Sequence, residues 1–212
     1  LGTLALANLF AVQGPAGEAH LAAACAAHLE DGHAFERMRE GLLQTVLFAG
    51  YPCALNALST LAQTARSVAP DKYAQRAETI LEPVDELDDV LLWKERGVRL
   101  AGQVYGSQYE KLMSNAAALS PCLAEWMISE GYGRVLGRPL LPFPLREVLI
   151  VASLLPQRVE RQLYSHLRGC LNVGVPAETL DELLVAAHSF LSAASAALAD
   201  QVWAKLRPAG SA

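Results

Sequence analysis

Apolar residues recur at helical spacing along almost the whole chain, and no stretch shows the apolar–polar alternation of a half-buried strand. A helix returns to one face every three or four residues and a strand every second residue, so this pattern restricts the chain to an all-α fold. Leu4, Leu6, Leu9, Phe10 and Val12 predict a first helix, closed by Gly14-Pro15. Glu18 to Leu29 is Ala-rich and helical, and Asp31-Gly32 closes it. Ala34 to Phe48 carries a broad apolar face that includes Phe35, Met38, Leu42 and Val46. Gly50-Tyr51-Pro52 breaks the pattern, and Pro52 suits the first turn of a new helix reaching about Ser67. Residues 68–84, with Pro70 and Pro83, predict a linker. Helices then follow over Asp85–Gly102, Tyr109–Ala118, Pro121–Ser129, Leu145–Leu155, Arg158–Val173, Pro176–His188 and Leu191–Leu206. Gly131 to Pro144, rich in Gly and Pro, predicts a loop.

Composition narrows the function classes. In 212 residues, 52% are hydrophobic and 18% charged. That surplus of apolar side chains predicts a homo-oligomer, in which the extra faces are covered. A net charge of -5, without a basic block, gives nucleic-acid binding no electrostatic support. No apolar run is long enough to span a membrane. The four cysteines, Cys25, Cys53, Cys122 and Cys170, are widely spaced and form no metal-ligand motif. A reduced, cytoplasmic protein without metal or cofactor is expected. Leu1 to Val12 is apolar but has no basic leader, which favours a core helix over a signal peptide.

The residues able to do chemistry concentrate in the segment from Arg146-Glu147 to Gly174. On the helix from Arg158 to Val173, Gln162, His166 and Cys170 form one stripe beside Leu163, Leu167 and Leu171. Glu147 lies one helix earlier, and a hairpin returns it to the imidazole. A carboxylate beside an imidazole fixes its tautomer and suits proton transfer. The competing reading is a plain hydrogen bond in a polar core. Gln162 is either a ligand-holding amide or a satisfied polar residue. Cys170 is either a thiol activated by the imidazole or a small core residue. Tyr51-Pro52 opens a helix whose free N–H groups could take a carboxylate, and otherwise is a structural turn. Trp126, Tyr132, Arg134 and Arg138 are placed to border a pocket, the two arginines as candidates to hold an anion. His20, His28, His33 and His188 are scattered and propose no metal site.

The chain also carries an internal repeat. Gly32-His33-Ala34-Phe35-Glu36 aligns with Gly174-Val175-Pro176-Ala177-Glu178 at an offset of 142. On that offset Glu18 meets Glu160, Leu29 meets Leu171 and Glu40 meets Glu182, while Ala5 and Ala24 stand where the second half has Glu147 and His166.

The order Arg146-Glu147, an apolar helix, Gln162-Leu163-x-x-His166 and then Asn172-x-Gly174 resembles the carboxymuconolactone decarboxylase family, in the wider alkylhydroperoxidase-D-like superfamily. Leu119-Ser120-Pro121, Glu125-Trp126, Gly131-Tyr132-Gly133-Arg134 and Arg138-Pro139-Leu140 resemble its lead-in, and Gly50 to Asn56 its helix break. The resemblance covers residues 101–185. It implies duplicated family-like units: residues 1–67 as a degenerate half, 68–84 as linker and 85–212 as the second half. It implies a trimer equivalent to a hexamer of single units. It also implies a lyase acting on a small anionic carboxylate or lactone, with Glu147 and His166 catalytic and Gln162, Arg134, Arg138 and Tyr51 binding substrate. A non-catalytic oligomeric family member is the first alternative. A thiol antioxidant using Cys170 is the second, disfavoured because Val159 and Gln162 occupy the positions of the peroxidase branch's Cys-x-x-Cys.

Overall fold

The computed structural model describes residues 2–29, 34–68, 70 and 90–208. Among them the fold is all-α, with no strand. The expected linker at 68–84 lies almost wholly outside the described residues, as does the Asp31-Gly32 helix stop.

The first helices are α1 (Gly2–Val12), α2 (Glu18–His28), α3 (Ala34–Leu43) and α4 (Val46–Val68). The helix expected over 34–48 is interrupted at Gln44-Thr45. The Thr45 hydroxyl donates to the Leu42 carbonyl at 2.6 Å, and such a bond competes with the helical ladder. Gly50, at φ 75° and ψ 173°, breaks α4, and the helix restarts at Tyr51-Pro52. A left-handed φ is open to glycine at no steric cost.

A middle segment follows: α5 (Val90–Tyr105), α6 (Tyr109–Leu119), α7 (Pro121–Trp126) and a π-helix (Met127–Val135). The π-helix occupies the start of the predicted 131–144 loop. One glycine on each side serves close approach: a Cβ at Gly133 of the π-helix would overlap the Trp93 backbone, and one at Gly97 of α5 would overlap the Ile128 carbonyl. The two glycines let α5 and the π-helix cross backbone to backbone. Glycine composition alone therefore pointed to a loop where packing makes a helix.

The last helices are α8 (Phe143–Leu154), α9 (Glu160–Asn172), α10 (Ala177–His188) and α11 (Ala193–Ala204). Glu160 lies 142 residues after Glu18, and on that shift α1 falls on α8, α2 on α9, α3 on α10 and the part of α4 after Gly50 on α11. α1 and α8 pack against each other at the centre. From Arg146 to Leu154 every residue of α8 is buried. One apolar core runs from Leu4 to Trp203.

An ion network ties α3 to α8. Arg146 is fully buried and donates from Nη2 to Glu40 Oε1 at 2.7 Å and from Nη1 to Gln44 Oε1 at 3.3 Å. Arg138 donates from Nε to the same Glu40 oxygen at 2.8 Å. Burial pulls the Arg146 guanidinium below its ordinary range, and the Glu40 carboxylate opposes that shift.

Candidate functional site

α8 and α9 form the hairpin that carries the site. Pro144 sits in the first turn of α8, where a missing N–H costs nothing. A 3₁₀ turn at Leu155–Gln157 and Arg158, left-handed at φ 57°, reverse the chain into α9. α9 buries Leu163, His166, Leu167, Gly169 and Cys170. Gly169 permits the close approach to α5, since a Cβ there would come within 2.6 Å of Val104 Cγ1 and 3.1 Å of Glu147 Oε2. Asn172 Nδ2 donates to the Val104 carbonyl at 2.7 Å and pins the end of α9.

This arrangement brings His166 Nδ1 to 2.9 Å from Glu147 Oε2. Glu147 is wholly buried, and its second oxygen has no hydrogen-bond partner among the described residues. The His166 side chain is 9% exposed and reaches a cavity of about 700 Å³. With Nδ1 engaged by the carboxylate, Nε2 is the nitrogen left for the cavity. Phe48 and Tyr105 meet the imidazole edge-on, with ring centroids 6.2 and 6.3 Å away. Tyr132 donates its hydroxyl to that of Tyr105 at 3.0 Å. Burial pushes the Tyr105 hydroxyl up to about 12, and the Glu147 charge adds to the rise. Burial and the same charge hold Tyr132 well above its ordinary range. Both phenols stay protonated through the neutral range.

Leu119, Leu123, Trp126, Met127 and Leu136 form the apolar walls, and Gln162, Arg161 and Glu130 add polar groups. Of the residues singled out in the sequence, Gln162 and His166 line the cavity, and Glu147 stands behind His166. Trp126 and Tyr132 line it as well. Arg134 instead pairs with Glu130 at 3.2 Å and lies 4.8 Å over the Trp93 ring. Arg138 belongs to the Glu40 network. Tyr51 is 75% exposed and does not line this cavity. Cys170 is fully buried, and desolvation, helped by the Glu147 charge, raises its thiol well above 9.0, which makes it a core residue and not a thiolate. Phe48, Tyr105 and Arg161 also line the cavity without standing out in the sequence as site residues. Arg161 adjoins Gln162 in the sequence and was open to notice. Phe48 and Tyr105 come from other helices and carried no local signal.

Another depression, of about 670 Å³, is lined by Gln13, His20, Phe190 and Ser192. His20 there stacks on Phe10, and none of the described residues lining the depression is an Asp or Glu. Among the described residues, no three His, Cys, Asp or Glu side chains gather as a metal site. No described helix is long and apolar enough to cross a membrane.

Fold and site together define an all-α protein with a buried carboxylate–imidazole pair beside an open, mostly apolar cavity. No protein-family model matches the chain. Two curated proteins resemble it, each named Peroxisomal protein 2. The one from Schizosaccharomyces pombe is 27% identical over 145 residues, covering 68% of this chain and 63% of that protein. The one from Saccharomyces cerevisiae is 26% identical over 164 residues, covering 68% of this chain and 57% of that protein. The chain thus spans less than two thirds of the length of either.

These findings correct three expectations. Membership of the carboxymuconolactone decarboxylase family does not stand, because no family model matches and the relatives carry another name. Here Arg-Glu, an apolar helix and Gln-Leu-x-x-His build a helical hairpin that buries an acid–base pair, and that geometry by itself does not determine a family. The lyase reading falls with it, together with the non-catalytic family member and the thiol antioxidant. The cytoplasmic expectation is overturned as well, since both relatives are named for the peroxisome. Unpaired cysteines report that thiols are free, and that does not distinguish one compartment from another.

Proposed function

We propose that this chain is a peroxisomal protein that binds a mainly apolar small molecule carrying a carbonyl group and moves a proton at the carbon beside that carbonyl. The observation that carries the reading is the 2.9 Å bond from His166 Nδ1 to the buried Glu147 at the edge of a 700 Å³ cavity. The carboxylate holds the Nδ1–H tautomer and leaves Nε2 as the base. When the imidazole takes up a proton, Glu147 balances its charge. The apolar walls favour a ligand with an aliphatic or aromatic body. The peroxisomal placement is supported by the names of the two relatives.

A panel of aliphatic and aromatic carbonyl compounds, incubated with the protein in heavy water, tests the chemistry. Wild-type protein is expected to speed deuterium uptake beside the carbonyl of at least one compound, and His166→Ala to abolish the gain. If no compound gains deuterium faster than in buffer, the proton-transfer reading is wrong. A fluorescently tagged full-length protein is expected to coincide with a peroxisomal marker, and a diffuse cytosolic signal would remove the placement.

Two further elements belong to this reading. The recurrence of helices at an offset of 142 supports a duplication in which the second copy keeps Glu147 and His166 and the first has Ala5 and Ala24. Self-association is supported by Leu119, Leu123 and Trp126 at the cavity walls, which are 86%, 56% and 61% exposed. The stoichiometry of three rested on the family resemblance and is not carried forward.

A further inference from the structure

We propose that the Tyr105 hydroxyl, positioned by Tyr132, donates the hydrogen bond that holds the ligand's oxygen beside His166, so that the site selects molecules presenting a carbonyl, enolate or phenolate oxygen. The inference rests on the proton-transfer reading of the same cavity and names the group that completes it.

A phenol has one proton to give and lone pairs to accept. Tyr132 is 3% exposed and spends its proton on Tyr105. The Tyr105 proton is the one left over, and no described protein group accepts it. Tyr105 lines the cavity with its ring centroid 6.3 Å from that of His166. An acceptor for this proton therefore comes from whatever fills the cavity. Tyr132 matters through Tyr105: its hydrogen bond occupies an acceptor position on the neighbouring oxygen and aims the remaining O–H away from itself. Because both hydroxyls resist ionisation, they remain donors when the Glu147 charge is close by.

The step balances without any further reactant. The Nε2 lone pair of neutral His166 takes a proton from the carbon next to the carbonyl. The C–H electron pair becomes the C=C of an enolate, and the carbonyl π pair moves onto oxygen. Tyr105 O–H hydrogen-bonds the new oxyanion without giving up its proton, where a preorganised donor lowers the barrier most. Return of the proton from Nε2 to the same carbon or to a conjugated one ends the cycle.

Binding of para-nitrophenolate, whose anionic oxygen imitates an enolate, tests the assignment. The matching probe, para-nitrotoluene, has the same shape without the oxygen. Both are titrated by calorimetry into the full chain and into Tyr105→Phe and Tyr132→Phe, and the absorption band of bound phenolate is recorded. Wild type is expected to prefer the phenolate. Tyr105→Phe should weaken phenolate binding about tenfold or more, the effect of one charge-assisted hydrogen bond, and leave para-nitrotoluene unchanged. Tyr132→Phe should weaken it by less and shift the absorption band, because Tyr105 keeps its proton but loses its aim. Equal phenolate affinity in wild type and Tyr105→Phe overturns the assignment and leaves the cavity reading in place. If wild type takes up neither probe, the binding cavity and this assignment fall together.

Discussion

Glu147 and His166 show how burial converts an ordinary contact into one on which stability depends. Removing one partner leaves the other buried and uncompensated, which costs about 3–5 kcal/mol. His166→Ala should therefore destabilise the chain by roughly that amount in urea. The double variant His166→Ala with Glu147→Gln should cost less than the sum of the single changes, and strict additivity would mean that the two groups are not coupled. Cys25 predicts a pH dependence. Burial raises its thiol from 9.0 to about 12, so the folded chain holds that proton more tightly than the unfolded chain. The resulting stability is present below pH 9.0 and is lost as the pH climbs toward 12. Denaturation midpoints should fall across that window, and Cys25→Ala should flatten part of the fall. Glu147, Gln162 and His166 were legible as residues because helical periodicity sets who shares a face. Arg134 and Arg138 were legible as cations, and Glu130, one turn before Arg134, is a local partner; Trp93 under Arg134 and Glu40 beside Arg138 lie far off in the chain and left no local trace.

At the scale of elements, the crossing of α5 with the π-helix depends on two glycines. Gly97→Ala and Gly133→Ala each place a methyl group into backbone that has no side-chain freedom with which to yield. Each should cost about 1–3 kcal/mol in thermal or urea unfolding, as overpacking does. Because Tyr132 rides on the π-helix and Tyr105 ends α5, both changes should also loosen ligand binding in the cavity. Unchanged stability would show that the two segments can separate without cost. Residues 131–144 read as a loop in the sequence because Gly and Pro are local breakers. The Gly50 break was legible because Gly-Tyr-Pro interrupts the helical pattern where the backbone itself adopts a left-handed φ. The two cases differ in what the glycine does: one bends its own chain, and the other admits a neighbour.

For the whole molecule, assembly and location are the open measurements. Sedimentation across a concentration series should show an oligomer, and Trp126→Glu should shift it toward the single chain. A monomer at every concentration would leave Leu119, Leu123 and Trp126 as unexplained exposure. The 52% hydrophobic content and the helical period by themselves determined an all-α chain, the hairpin and the residues that face one another along α9. These are short-range properties, decided within a few turns of helix. Only the tertiary structure decided that Tyr105 and Phe48 join His166, that Arg138 is bound into the Glu40 network, and that Cys170 is sealed in the core. Those outcomes depend on which distant helices cross and how closely, and the chain's local pattern does not encode that distance.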